Sequence, residues 1–277
     1  MKIAGIQILS LVLISILLAF TACKRDHIPA DRDTGAPADD AFAESVFDDI
    51  SNMADEAYDM GSNNLKSEDD DPVYLGPCVA VYLDTVADPR QLVIDFGEEN
   101  CLCKDGKYRR GKILVSFTGR YKKPSSVITT TFDNYYVNNN NVEGAKVVTN
   151  MGFDEENHPY FSVEVNGVIH LAGNGGTLSW NAVRTRTWIR GYLTRRIRDD
   201  VYLITGSGSG IRPSGFTWER EIVDPLRAEM NCRWIVSGTV EIIPENRPVR
   251  TLDFGDGECD NQAVVIINGV SYPVTLH

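Results

Sequence analysis

The segment from Thr177 to Arg198 carries the side chains best suited to binding a ligand. If the segment is a strand, side chains two residues apart share a face. That face carries Trp180, Arg184, Arg186, Trp188 and Arg190. Tryptophan rings stack on sugars, and guanidinium groups bind phosphate or carboxylate as a fork. The pattern indicates a face for a glycan or a lipid phosphate. The alternative is cross-strand pairing of these arginines with Glu219 and Glu221 on an ordinary sheet surface.

Two segments of the chain repeat the same cysteine spacing. Asp95-Phe96-Gly97 is followed by Cys101 and preceded by Cys78, and Asp253-Phe254-Gly255 is followed by Cys259 and preceded by Cys232. We predict two related subdomains, at about residues 78–121 and 232–277, stapled by disulfides Cys78–Cys101 and Cys232–Cys259. Each disulfide is worth about 3–4 kcal/mol in the loop-entropy model. Cys103 either replaces Cys101 as the partner, stays a free thiol, or pairs with another molecule.

The residues of the repeat have structural roles. Phenylalanine fills the core at the end of a strand, and Ile94 and Leu252 share its face in the two copies. Glycine allows the backbone to turn, and aspartate bonds nearby backbone amides.

The sequence predicts no catalytic residue, no cofactor and no metal site. Asp256, Glu258 and Asp260 alternate as Ca²⁺ ligands do, but a solvated acidic turn explains them better. None of the four histidines has a Cys or His at zinc-ligand spacing. The run Gly206-Ser-Gly-Ser-Gly210 matches neither a nucleophile elbow nor a phosphate loop, so we interpret it as a flexible bend or a glycine-rich strand end. We expect a protein that is not an enzyme.

The first 22 residues have the pattern of a secretory signal. Lys2 precedes an apolar run from Ile3 to Phe20, and small residues lead to Cys23. This arrangement resembles a bacterial lipoprotein signal, which implies that the mature chain begins at Cys23 and carries fatty acyl groups such as palmitate on that residue. The alternative is an uncleaved membrane helix. The resemblance implies attachment to the cell envelope, at an outer membrane facing the periplasm or the surface, in an oxidising compartment.

The negative charge is concentrated near the N-terminus. The whole chain has a net charge of −12, but residues 24–77 hold 4 basic and 15 acidic residues, whereas residues 78–277 hold 22 and 24. The low isoelectric point therefore describes the N-terminal part and not the body. This distribution, together with secretion, argues against nucleic acid as a partner.

Between the signal and the body we predict three segments: a flexible tether over 23–39, a helix over 40–61 and an acidic linker over 62–72. Asp39 or Asp40 would cap the helix and Gly61 would end it. The apolar residues of its face recur at steps of three and four: Phe42, Val46, Ile50, Met53, Ala54 and Ala57. We expect this face to pack on the chain's own β region rather than on a partner.

Residues 73–277 read as short strands rich in Val, Ile, Thr, Tyr and Phe. Turn signals separate them, including Asn166-Gly167, Asn268-Gly269, Asp105-Gly106 and the run Asn138–Asn141. Because the connections are too short for crossover helices, the strands should be antiparallel. The predicted fold is mainly β, either an antiparallel sandwich or extended twisted sheets with two related disulfide-stapled subdomains, plus one N-terminal amphipathic helix.

Several segments together resemble uncharacterised secreted lipoproteins of Bacteroidota-type bacteria. They are the signal ending at Cys23, the two Asp-Phe-Gly segments, Thr130–Tyr136, Val201–Gly206 and Cys259–Val270. The resemblance implies location and brings no catalytic residue or ligand. We expect a binding or scaffold module for an envelope glycan, lipid or protein, held at the membrane by its N-terminal lipid. Alternatives are an adhesin or assembly subunit, a lipid carrier with a half-open sheet covered by the helix, and a hydrolase.

Overall fold

The computed structural model describes residues 31–62, 73–119, 123–194 and 197–276. The predicted signal at 1–22, the lipid attachment at Cys23 and most of the predicted acidic linker lie outside the described residues. None of the helical residues that are described forms a helix both long and apolar enough to cross a membrane.

Within these residues the chain forms one α-helix, one short 3-10 turn and 14 strands. The helix α1 spans Gly35–Gly61, and the 3-10 turn spans Ile197–Asp199. The strands are β1 (Ala80–Asp84), β2 (Arg90–Asp95), β3 (Cys101–Leu102), β4 (Tyr108–Phe117), β5 (Val127–Val137), β6 (Asn140–Phe153), β7 (Pro159–Leu171), β8 (Gly176–Arg190), β9 (Val201–Ile211), β10 (Thr217–Glu229), β11 (Ile235–Pro244), β12 (Arg250–Asp256), β13 (Gln262–Ile267) and β14 (Val270–Thr275).

All the strands join one open antiparallel sheet. Each strand pairs with the next along the chain, except that β2 pairs with β4 and the short β3 pairs only with β4. The predictions of a mainly β antiparallel fold, an N-terminal helix and two disulfides are confirmed. The strand connectivity is that of one extended sheet, which is a consequence of hairpin connections repeated along the chain.

The sheet curves around α1. The helix contacts β1 and β2 near one edge of the sheet and β8 and β11 further along it. Tyr74, just before β1, and Leu276, just after β14, line one cleft beside the helix. The helix therefore occupies the concave side of the sheet and is buried along most of its length.

The helix begins five residues earlier than predicted. Gly35 opens it, its backbone N–H donates to Asp33 Oδ1 at 2.9 Å, and Pro37 falls in the first turn, where its missing N–H costs nothing. The prediction that Asp39 or Asp40 caps the helix is wrong, because both lie inside it. The predictions that it ends at Gly61 and packs on the chain's own β region are confirmed.

One predicted turn lies inside a strand. Asn166-Gly167 sits within β7, where Gly167 pairs with Gly144 on one side and Trp180 on the other. A Cβ at position 167 would come 2.1 Å from Cζ of Phe47 on α1. Glycine is therefore needed here for the close approach of the helix and not for a turn.

The other turn signals are found in turns. Asn138 and Asn139 have positive φ between β5 and β6, as do Asn268 and Gly269 between β13 and β14. This is the conformation that two-residue hairpins require. The glycine-rich run at 206–210, interpreted from sequence as a bend or strand end, forms the second half of β9.

The two copies of the repeat have matching local structure. Asp95 Oδ1 accepts from the N–H of Gly97, and Asp253 Oδ1 from that of Gly255, both at 2.9 Å. The phenylalanine between them is buried in each copy. The disulfides Cys78–Cys101 and Cys232–Cys259 are both present, and Cys103 is a buried free thiol.

We expect Gly167→Ala to destabilise the protein by about 1–3 kcal/mol, because the added methyl group collides with the Phe47 ring. Phe47→Ala alone should cost about 3–5 kcal/mol. In urea unfolding of the double variant, the cost of Gly167→Ala should largely disappear because its collision partner is gone. An unchanged cost in both backgrounds would refute the contact as the reason for this glycine.

Candidate functional site

The structure divides the predicted ligand face of β8 into three parts. Trp180 and Arg184 lie beneath α1 and are buried. Arg186 and Trp188 are half-buried and line a cleft beside the helix. Arg190 is exposed at the end of the strand.

The alternative pairing with Glu219 and Glu221 does not occur. Those two carboxylates are exposed on the outer face of β10, whereas Arg220 between them faces the helix. Arg184 instead pairs with Glu44 and Asp48, with 3.1 Å between its Nη2 and Asp48 Oδ1. The carboxylates that pair with this basic face come from α1. The residue pattern of the strand alone does not reveal this pairing.

A buried polar network joins α1 to the middle of the sheet. Glu44 accepts hydrogen bonds from both Arg184 and Arg220. Asp40 Oδ1 accepts from Trp180 Nε1 at 2.9 Å, and Asp40 Oδ2 lies 3.3 Å from Nε of Arg220. Buried charges are stable only when paired and hydrogen-bonded, so this network fixes the rotation of the helix about its axis.

A second network holds the opposite flank of the helix. Asp49 pairs with Lys107 at 2.5 Å and with Arg109 at 3.2 Å, and Arg109 also binds Asp105 at 2.6 Å. Burial by itself lowers the pKa of Arg109, but Tyr135, Asp105 and Asp49 together raise it by more than burial lowers it. The net pKa is therefore raised, and the guanidinium stays charged.

Beside the first network, a cleft opens between α1 and strands β5–β9. We name it the basic cleft, and it encloses about 670 Å³ of space, including the part open to solvent. Its basic groups are Lys146, Arg184 and Arg186, and the carboxylates at its helical rim are Asp48 and Asp55.

The strand register orders the wall of the basic cleft. One row across the sheet pairs Ile128 with Val148, Val148 with Val163, and Val163 with Arg184. In this row the wall is thus apolar on β5–β7 and basic on β8. Phe161 sits in the next row, directly opposite Arg186.

Lys146 reaches the basic cleft from β6. Its Nζ donates to the backbone carbonyl of Phe47 at 2.7 Å and lies 3.6 Å from Asp48 Oδ1. Burial lowers the pKa of Lys146 to about 8, although Asp48 partly opposes the shift. At neutral pH this amine carries a charge that is poorly compensated.

Arg186 stacks on an aromatic ring of the cleft. Its guanidinium carbon lies 3.6 Å from the centroid of Tyr202, and the Tyr202 ring stacks in turn on Trp188 with centroids 5.5 Å apart. The stacking holds the guanidinium in one position at the boundary between the apolar and basic parts of the wall.

A second cleft lies on the other flank of α1. It encloses about 600 Å³, again including open space, and we name it the acidic cleft because Glu44, Asp48 and Asp49 line its helical side. Trp234 lines the side toward β11, and its Nε1 is buried without a hydrogen bond to the part of the chain that is described.

Among the described residues, neither cleft contains a recognisable metal-binding set. No histidine lines either one, considering only the described residues. Across those same residues no group of three or more His, Cys, Asp or Glu is arranged to hold a metal ion.

No family model, curated protein or solved structure matches this chain.

Sequence analysis missed the acidic stripe of the helix and the inward lysine of β6. Asp40, Glu44 and Asp48 recur every four residues, which places them on one face. Lys146 falls in the same alternating phase as Val142 and Val148, so a strand reading puts it on the core side. Both signals are visible in the sequence, but only a search for buried charge would have found them.

We expect Glu44→Gln to lower the free energy of unfolding by about 3–5 kcal/mol, because it removes the buried carboxylate that Arg184 and Arg220 share. The matched control is Glu219→Gln on the exposed face beside Arg220, which should change stability by less than about 0.5 kcal/mol. Urea unfolding measures both, and equal effects would contradict the network as the anchor of the helix.

Stability should depend on the charge of Lys146. Between its folded pKa of about 8 and the ordinary lysine pKa of 10.5, the unfolded chain holds the proton while the folded chain has lost it. The contribution of Lys146 to the free energy of unfolding therefore rises with pH through that window. Lys146→Met removes the effect. The stability advantage of Lys146→Met over the parent protein should shrink by about 2–3 kcal/mol from pH 7 to pH 10 in urea unfolding. An advantage that does not change with pH would contradict the lowered pKa.

Proposed function

We propose that this protein is a non-enzymatic binding module of the cell envelope, anchored by lipid at Cys23, that holds a small lipid-like molecule in the basic cleft. The observation that carries the proposal is the cleft itself, a concave site between α1 and β5–β9 with an apolar wall and a few polar groups. Ligand sites in proteins have this general composition.

The arrangement favours a lipid-like ligand over a glycan. Stacking on a sugar requires an open tryptophan face, but Trp180 is fully buried and its ring stacks on Phe47 with centroids 5.7 Å apart. Trp188 is half-buried between Tyr202 and Tyr192. The apolar lining of the cleft also includes aliphatic side chains, of which Val148 is half-buried and Ile128 and Val163 are buried.

An assembly role through sheet edges has less support. The edge strand β14 contains Pro273, and proline on an edge opposes the addition of another strand. The groove expected for a lipid carrier is present only beside the helix, because the polar network of Glu44 fills the space directly beneath it.

We expect the neutral fluorescent probe N-phenylnaphthylamine to bind the protein and to be displaced by dodecanol. Val148→Phe fills the apolar wall and should weaken probe binding by about tenfold or more, which corresponds to ~1.4 kcal/mol. The measurement is the rise in probe fluorescence during titration.

The matched control for that substitution is Val147→Phe, on the same strand but the opposite face. It adds the same volume outside the cleft and should leave probe affinity within about twofold, a difference below ~0.5 kcal/mol. Absence of probe binding, or equal loss in both variants, would overturn the assignment of the cleft.

The anchor makes a separate prediction. Mass spectrometry of protein purified from native membranes should find Cys23 as the first residue, bearing acyl groups. Cys23→Ser should shift the protein to the soluble fraction, whereas Cys103→Ser should leave it with the membrane. An unmodified Cys23 in native material would exclude the anchor.

A further inference from the structure

We propose that the ligand of the basic cleft carries one acidic headgroup, which Arg186 binds while an acyl chain lies over the apolar wall of β5–β7. The shared chemistry is a monoanionic or dianionic oxygen acid, either a carboxylate or a phosphate, on a single alkyl chain. This inference rests on the proposed function, since it assigns the chemistry of the ligand in the same cleft.

The first support is the pairing of the three basic groups. The Arg184 charge is matched by Glu44 and Asp48, and the Lys146 amine donates to the carbonyl of Phe47. Arg186 differs from both. Among the described residues it has no carboxylate within ion-pair distance and no oxygen acceptor, and its Nε is buried without a hydrogen bond.

The contacts that Arg186 does make are weak. They are the face of Tyr202 and the sulfur of Met230, which lies 3.9 Å from Nη2. Burial by itself lowers the pKa of Arg186, but Tyr202 and the carboxylates of Asp55 and Asp48 raise it by more than burial lowers it. The net pKa is raised, so the group remains a cation. A desolvated guanidinium without an oxygen partner gains more from an incoming acid than a solvated one does.

The second support is the position of Arg186 relative to the apolar wall. Its register partner is Phe161 on β7. The aliphatic row of β7, β6 and β5 is the adjacent one, which meets β8 at Arg184. Neighbouring strands are about 4.8 Å apart, so the wall extends roughly 14 Å from β8 to β5. A headgroup at Arg186 would thus place a medium-length alkyl chain along this wall.

The rim carboxylates limit how far net charge alone can select the ligand. Asp48 and Asp55 reduce the net positive charge of the cleft, so long-range attraction alone would not select an anion. The selection of an anion therefore depends on direct hydrogen bonds to Arg186, with the charge of Lys146 nearby. An alkyl amine would meet the uncompensated guanidinium and be disfavoured.

The test is a series of ligands with the same alkyl chain, measured by isothermal titration calorimetry at pH 7 with the unaltered protein. Dodecanoate and dodecyl phosphate should bind at least about tenfold more tightly than dodecanol, which is ~1.4 kcal/mol. Dodecylamine should bind more weakly than dodecanol. Comparison of the first two ligands distinguishes a carboxylate source from a phosphate source.

The variant pair is Arg186→Gln and Arg190→Gln, two arginines of β8 of which only Arg186 lines the cleft. Arg186→Gln should reduce the preference for the acids over dodecanol from at least about tenfold to within about twofold, or ~0.4 kcal/mol. Arg190→Gln should retain the preference. Thermal unfolding of both variants verifies that they are folded.

The outcomes separate the two proposals. If dodecanol binds as tightly as the acids, the acidic headgroup is excluded and a neutral lipid-like ligand still stands. If the acids are preferred but Arg186→Gln keeps that preference, Arg186 is not the anchor and the inference fails. If none of the four ligands binds, the proposed function fails with it.

Discussion

The structure depends on a buried acid–base contact between the helix and the sheet. Glu44 is held by Arg184 and Arg220, and Asp40 by Trp180 and Arg220, in a region from which water is excluded. Charges there are strongly penalised if unpaired, so the helix has few alternative positions. An apolar helix on an apolar sheet could rotate or slide at lower cost. The polar network gives the helix a defined register.

The same contact explains the uneven charge of the chain. The acidic N-terminal part is not simply a solvated extension, because several of its carboxylates neutralise arginines and lysines of the β region. Asp49 with Lys107 and Arg109 repeats the arrangement on the opposite flank. The near-neutral β region is thus basic on its concave face, and it becomes locally balanced only when the helix is in place.

The clefts follow from this geometry. A single helix is too narrow to fill the concave side of a sheet of this width, so space remains along both flanks. On one flank the aliphatic residues of β5–β7 meet Arg186, the guanidinium that the helix does not neutralise. The helix therefore stabilises the fold and also forms one wall of the proposed site. The disulfides lie toward the two ends of the sheet, near its shorter strands.

The sequence by itself determined the strand-rich body, the helix and its end at Gly61, the Cys232–Cys259 disulfide and the matching Asp-Phe-Gly turns. All of these depend on local periodicity, turn chemistry or a repeat within a few tens of residues. It did not determine the start of the helix, the role of Gly167, or the partners of Arg184. The last two depend on contacts between residues that are more than a hundred positions apart, such as Glu44 with Arg184. Only the tertiary structure decides which buried charges meet, because the energy of such a pair comes from the removal of water by the whole fold.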